Sequence, residues 1–160
     1  MNTALNEKLR DCDIELQKIN EWIDSNKFHT NVKYLVSYSV MKACGTIEIV
    51  FKNMIYLFLS NSAEDATKTY LEKQIIDSSC NPSFGNIKRM IEQFDGVKAQ
   101  KFEDDLKLTG YKNGLSSLVN LRNNIGHGRD ITASITNVIE YYEAGKNVLL
   151  LLESVLSNSE

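Results

Sequence analysis

The sequence predicts an all-α protein, and three observations carry that prediction. Apolar residues recur at steps of three and four along most of the 160 residues, no stretch alternates apolar and polar with the period of a strand, and a single proline interrupts the chain. The pattern is that of an up-and-down helical bundle, with two long core helices, short additional helices and short connections, in one domain over residues 1–160.

Each element has its own signal. Leu5, Leu9, Ile14, Leu16, Ile19, Trp22 and Ile23 recur at helical steps along a first amphipathic helix that ends near Asn26, and His29 falls in the turn after it. A second helix runs from about Asn31 to Leu59 with apolar residues almost all round, which marks it as the most buried element. Asn61 or Ser62 is placed to cap a third helix from Ala63 to about Ser78. Asn81-Pro82-Ser83 opens a shorter fourth through Ile87, Met90, Ile91 and Phe94, and Asp95-Gly96 closes it. A short helical piece over about Ala99 to Leu106 leads to a helix from about Lys112 to His127. Thr132 is placed to cap a last long helix that ends near Leu156.

Composition narrows the function classes. A hydrophobic content of 42% against 24% charged residues suits one sizeable core, and one proline, eight glycines and no long polar tract leave little room for a linker. The net charge of -3 gives no global basic footprint, so any contact with nucleic acid has to be local. Cys12, Cys44 and Cys80 are odd in number and widely spaced, with no CxxC pair, which suits reduced thiols in a cytoplasmic protein better than a disulfide framework or a zinc site. The N-terminal residues show no signal peptide, and the apolar runs Met54 to Leu59 and Val148 to Leu152 are shorter than a membrane span. Asp104-Asp105 and Glu64-Asp65 read as solvated helix positions, so neither a metal nor a cofactor is expected.

The most informative segment is Arg122-Asn123-Asn124-Ile125-Gly126-His127-Gly128. It holds one of two histidines in the chain, and imidazole is the side chain that ordinarily changes charge between pH 5 and 8. Leu115, Leu118, Leu121 and Ile125 form an apolar stripe at about 100° per residue, and Arg122 falls inside it. A guanidinium there has to ion-pair across the bundle or line a polar cleft that admits a ligand. Asn123 and His127, four apart, share a neighbouring face, and the glycines on either side of His127 can unwind the helix end. Read from these residues alone, a C-capping histidine and a structural arginine pair stand beside a catalytic site.

The block LVNLRNNIGHGRDIT, from Leu118 to Thr132, follows YSVMKACGTIEIVFKNMI and NPSFGNIKRMIEQF. Together these resemble the HEPN superfamily, above all its RiboL-PSP-type prokaryotic branch. The hallmark is an arginine, four to six residues and then a histidine, with a polar residue directly after the arginine; Arg122, Asn123 and His127 match it. The resemblance implies a HEPN-like bundle that pairs as a two-fold homodimer with a composite cleft. In many members that cleft is a metal-independent endoribonuclease acting in antiviral defence or toxin–antitoxin systems, so RNA and an antitoxin or other regulatory protein are the implied partners. His127 would take or give a proton, Arg122 would hold the phosphate, and Asn123 would orient one or the other. The RNA's own 2′-hydroxyl would attack, leaving a 2′,3′-cyclic phosphate.

Weaker candidates surround the motif. Lys42 could add positive charge to the cleft, and Arg129 could reach phosphate from the loop. Glu48 could meet Arg122 across the bundle, but it also forms an ordinary four-residue pair with Lys52. Tyr141 and Tyr142 could stack on bases or pack, and His29 reads as a surface residue. The alternative to an enzyme is a non-catalytic module for dimerisation and for binding a nucleotide, RNA or protein. A scaffold or antitoxin-like chain with no nucleic-acid role is a third reading, favoured by the acidic balance.

Overall fold

The computed structural model describes residues 1–157, and among these every regular element is helical. In chain order they are α1 (Thr3–Ser25), α2 (Val32–Ser60), α3 (Asp65–Leu71), a π-helical turn (Glu72–Ile76), α4 (Phe84–Glu92), α5 (Gly96–Lys107), α6 (Tyr111–Gly126) and α7 (Ile135–Ser157). The long helices α2 and α7 form the core pair. α1 lies against both, α6 packs along α7 and α2, α5 touches α7, and α4 packs on α5.

Burial follows the apolar pattern. Val40, Ile47, Val50, Phe51 and Ile55 of α2 are wholly buried, as are Val148, Leu149 and Leu152 of α7. Tyr142 is the largest fully buried side chain, and its hydroxyl donates to the Leu9 carbonyl at 3.1 Å, so its polar end is satisfied inside the core. Lys52 is also buried, with its ammonium held by the Glu48 carboxylate at 2.7 Å and the Ser78 carbonyl at 2.5 Å. The expected Glu48–Lys52 pair is therefore real, and it ties α2 to the segment after the π-helical turn. Among the described residues, most long-range ion pairs run to α1 or to the N-terminus just ahead of it. Lys42 meets Glu15 at 2.7 Å, Lys146 meets Asp13 at 2.7 Å, and the N-terminal amine pairs with Glu153.

The capping pattern departs from the sequence in three places. Neither Asn61 nor Ser62 caps α3: Ala63 N–H still closes a turn on the Ser60 carbonyl at 3.2 Å, and it is Glu64, in an extended conformation, that precedes the helix. That helix also fails to run on to Ser78. It widens into the π turn, closed by Asp77 N–H on Glu72 C=O at 3.1 Å, and Ile75 within the turn is buried. Asp95 ends α4 and at once caps α5, accepting from Lys98 N–H at 2.9 Å, so α5 starts at Gly96 rather than near Ala99. Thr132 does not cap α7. Ser134 does, accepting from Asn137 N–H at 3.1 Å while the Asn137 side chain accepts from Ser134 N–H at 3.1 Å.

By length and composition α2 would also reach across a membrane, with a mean hydropathy of 1.3 over its most apolar window. The core helix of a bundle meets the same test, and 50% of that window is buried against the other helices.

Candidate functional site

α6 delivers the motif because one face of it is anchored and its end is tightly turned. Leu115, Leu118 and Val119 are wholly or nearly buried, Leu121 and Ile125 half-buried, and this fixes the rotation of the helix. Arg122 is half-buried at the edge of that face, as its place in the stripe predicts. It lies on the α2 side, close enough for its charge to act on the Cys44 thiol.

The guanidinium is held by its sequence neighbour. Arg122 Nη1 donates to the Asn123 side-chain oxygen at 3.3 Å, and among the described residues it meets no carboxylate. Of the two arrangements open to a guanidinium in the apolar stripe, the ion pair across the bundle is not formed, because Glu48 is taken by Lys52. Asn123 also accepts from the His127 backbone N–H at 3.0 Å through its carbonyl. One residue thus touches both ends of the motif, its side chain holding the arginine and its main chain holding the histidine.

The helix ends in a Schellman turn. His127 is the C-cap, Gly128 N–H reaches the Ile125 carbonyl at 2.9 Å, and Arg129 N–H reaches the Asn124 carbonyl at 2.9 Å. Gly128 sits at φ +69, the only positive φ among the described residues, and a glycine takes that conformation without steric cost. The turn leaves His127 exposed, and among the described residues no side chain bonds its imidazole. Arg129 is exposed on the loop beyond it.

The remaining candidates separate. Lys42 points to α1, where Glu15 holds it; the Lys42 ammonium and the Tyr38 hydroxyl both push the Glu15 carboxyl below its usual range, and the Lys42 pKa rises in return. Glu48 is bonded to Lys52. Tyr142 is core, whereas Tyr141 lines a polar groove of about 340 Å³ between α6 and α7, with Asn120, Asn124 and Asn137. His29 is exposed, yet it has two partners: its Nδ1 accepts from Asn31 N–H at 3.1 Å, and its ring meets Trp22 edge-on with centroids 5.3 Å apart.

Cys44 is the neighbour that sequence reasoning missed. Burial pushes its thiol up to about 12, with Arg122 pulling down and Glu48 pushing up, so it lines the site as an apolar wall and not as a nucleophile. Its place one helical turn before Glu48 was the available signal. Among the described residues no three His, Cys, Asp or Glu side chains gather into a group that could hold a metal ion.

What this geometry can do is hold an oxyanion near Arg122 and present an accessible imidazole five residues further along the chain, at the end of the same helix. The family model described as RiboL-PSP-HEPN matches residues 6–158. No curated protein and no solved structure matches the chain.

Proposed function

The chain belongs to the RiboL-PSP-HEPN family, whose membership suggests a nuclease or RNA-binding module that often dimerises, and from that premise we propose that it is a metal-independent endoribonuclease. The observation that carries the reading is the Arg122–Asn123–His127 unit: a guanidinium without a carboxylate partner among the described residues, joined through one asparagine to an exposed histidine.

In this mechanism His127 removes the proton from the ribose 2′-hydroxyl. The 2′-oxygen forms a bond to phosphorus, the bond to the 5′-oxygen breaks, and that oxygen takes a proton to leave as a hydroxyl. The product ends in a 2′,3′-cyclic phosphate. Arg122 binds the phosphate and stabilises the charge that builds on its oxygens, for which its planar fork of donors is suited. Asn123 keeps the guanidinium aimed. DNA, lacking the 2′-hydroxyl, is not cut.

A homodimer would bring two such units to one cleft, one His127 taking the proton and the other giving it. Support comes from α2, where Met41 and Ile49 are exposed apolar residues on a helix whose other faces pack into the bundle. We place the protein in the cytoplasm with reduced thiols, as an effector in antiviral defence or a toxin–antitoxin system restrained by a partner protein. A non-catalytic RNA-binding module is the second reading, favoured by an imidazole that no side chain among the described residues orients.

The test is cleavage of a mixed RNA pool in EDTA by the wild-type chain and by His127→Ala, with the new ends checked for cyclic phosphate. Loss of cleavage in a variant that still folds supports the nuclease. Undiminished cleavage by the variant removes His127 from the mechanism, and silence from both proteins favours the binding module.

A further inference from the structure

Both histidines of the chain lie at the same end of the bundle, and a groove of about 610 Å³ runs there between the α1–α2 turn and the α6–α7 loop. Its floor is apolar, formed by Ile23, Val36, Ile125 and Ile135 among others. Its rim carries Lys27, Lys33, Arg129 and His29 against the single carboxylate Asp130. In a chain of net charge -3 this is a local excess of positive charge. Lys33 and Arg129 meet no carboxylate among the described residues, and Lys27 has only a solvent-screened pair with Asp24 at 3.7 Å.

Two aromatic rings stand at the same rim. Phe28 is 102% exposed and Tyr34 62%, with the Lys33 ammonium 4.9 Å from the Tyr34 ring centre. A fully exposed phenylalanine in a short turn contributes nothing to the core of the free protein. Flat apolar faces beside unpaired cations, over an apolar floor, match a single-stranded nucleic acid: bases stack on the rings and phosphates meet the ammonium and guanidinium groups.

The groove adjoins the candidate site. Ile125 and Arg129 line it, and His127 lies between them in sequence. Lys33 and Cys44 are eleven residues apart on α2, about 16 Å along the helix, a separation that a few nucleotides span. We propose that this groove is the track for the single-stranded RNA flanking the scissile phosphate, with Phe28 and Tyr34 as stacking platforms and Lys33 and Arg129 as phosphate contacts. It deepens the nuclease reading and rests on it for the position of the scissile phosphate.

The experiment measures binding apart from cleavage. A fluorescein-labelled oligouridylate is titrated by anisotropy into the full-length His127→Ala protein, and into the same protein carrying Phe28→Ala or Lys33→Gln with Arg129→Gln. All three added substitutions are at exposed positions, so the bundle stays folded. Phe28→Ala weakens binding at least about fivefold, and the double variant flattens the dependence of log Kd on log salt by about 1.4, for two lost phosphate contacts. Unchanged affinity and salt slope in these variants overturn the groove, as does absence of oligouridylate binding. If wild-type protein fails to cut RNA while Phe28→Ala still weakens binding, the nuclease reading fails and the groove stands. If cleavage depends on His127 but neither binding nor KM responds to Phe28→Ala, the groove falls and the nuclease remains.

Discussion

A Cβ built on Gly114 would stand 2.5 Å from the Cβ of Ala144, so α6 and α7 touch nearly backbone to backbone at this point. Real side-chain carbons do not approach that closely, and Ala144 has no flexible end to move aside. Gly114→Ala therefore has to push the helices apart, at a cost of about 1–3 kcal/mol. Because α6 carries the motif, the shift also displaces Arg122 from α2. Urea unfolding of the variant, with its cleavage rate, checks both effects; a wild-type midpoint would show that the helices are not pinned here.

The two glycines around His127 are predicted to respond in opposite directions. Gly126 is helical, and nothing lies within 4 Å of an added Cβ, so Gly126→Ala should stabilise the chain by about 0.4–1 kcal/mol. Gly128→Ala puts a side chain at φ +69 and should destabilise it by about 1–2 kcal/mol. Thermal melts of the pair check the sign, and equal shifts in one direction would contradict the Schellman geometry.

Much of this arrangement was legible in the sequence, and the failures share a cause. The α6 stripe, Gly128 at the helix end and the Glu48–Lys52 pair all follow from local spacing, and each is where spacing put it. Ser83 was read correctly as part of a helix start because proline precedes it, whereas Asp95-Gly96 was read as a stop when it is also a start. The π turn depends on the depth to which Ile75 is buried, which is tertiary information. The fate of Lys42 likewise depended on α1 lying against α2, and no spacing along the chain announces that Glu15 faces it. His29 and Arg129 are a hundred residues apart, so their common groove required the fold.

Asn123 is expected to act through Arg122. Asn123→Ala removes the oxygen that holds the guanidinium and should lower kcat by about tenfold to a hundredfold, the scale of a small misplacement of a catalytic group. Asn123→Asp should fare no better, since a carboxylate there would compete with phosphate for the arginine. Single-turnover rates with RNA, taken beside binding of the same RNA, measure this. A fall in affinity at constant rate would make Asn123 a binding residue only.

Stability should fall at acid pH through Glu15, among other carboxylates. Its pKa is held below the usual 4.5 by Lys42 and by the Tyr38 hydroxyl, so its contribution is present above 4.5 and is lost as pH falls toward the depressed folded value. Lys42 has a raised pKa, and its share is present below 10.5 and lost as pH climbs through the folded value. Both groups are about one-third exposed, so the pair is worth under about 1 kcal/mol. Glu15→Gln should flatten the acid limb of a urea-midpoint profile and leave neutral pH little changed. An acid limb that does not respond would place the coupling elsewhere.

The thiols should resist alkylation in the native state. Burial raises all three, and at pH 8 a group held at about 12 is ionised in about one molecule in ten thousand. Cys80, half-buried, should react first with iodoacetamide, and Cys12 and Cys44 only on unfolding. Mass spectrometry of the labelled peptides checks the order; early labelling of Cys44 would mean that the wall beside Arg122 opens.

Arg122, answered among the described residues only by a neutral amide oxygen, also links the folding equilibrium to the medium. An oxyanion that settles on the guanidinium binds the folded chain and not the unfolded one, and at a hundred times its Kd it adds about 2.7 kcal/mol to stability. The melting temperature of this bundle is then a property of the buffer as much as of the sequence. Phosphate, sulfate and chloride solutions would hold the same molecule at different distances from unfolding, and Arg122→Gln would narrow the spread to what general salt effects and other cations leave.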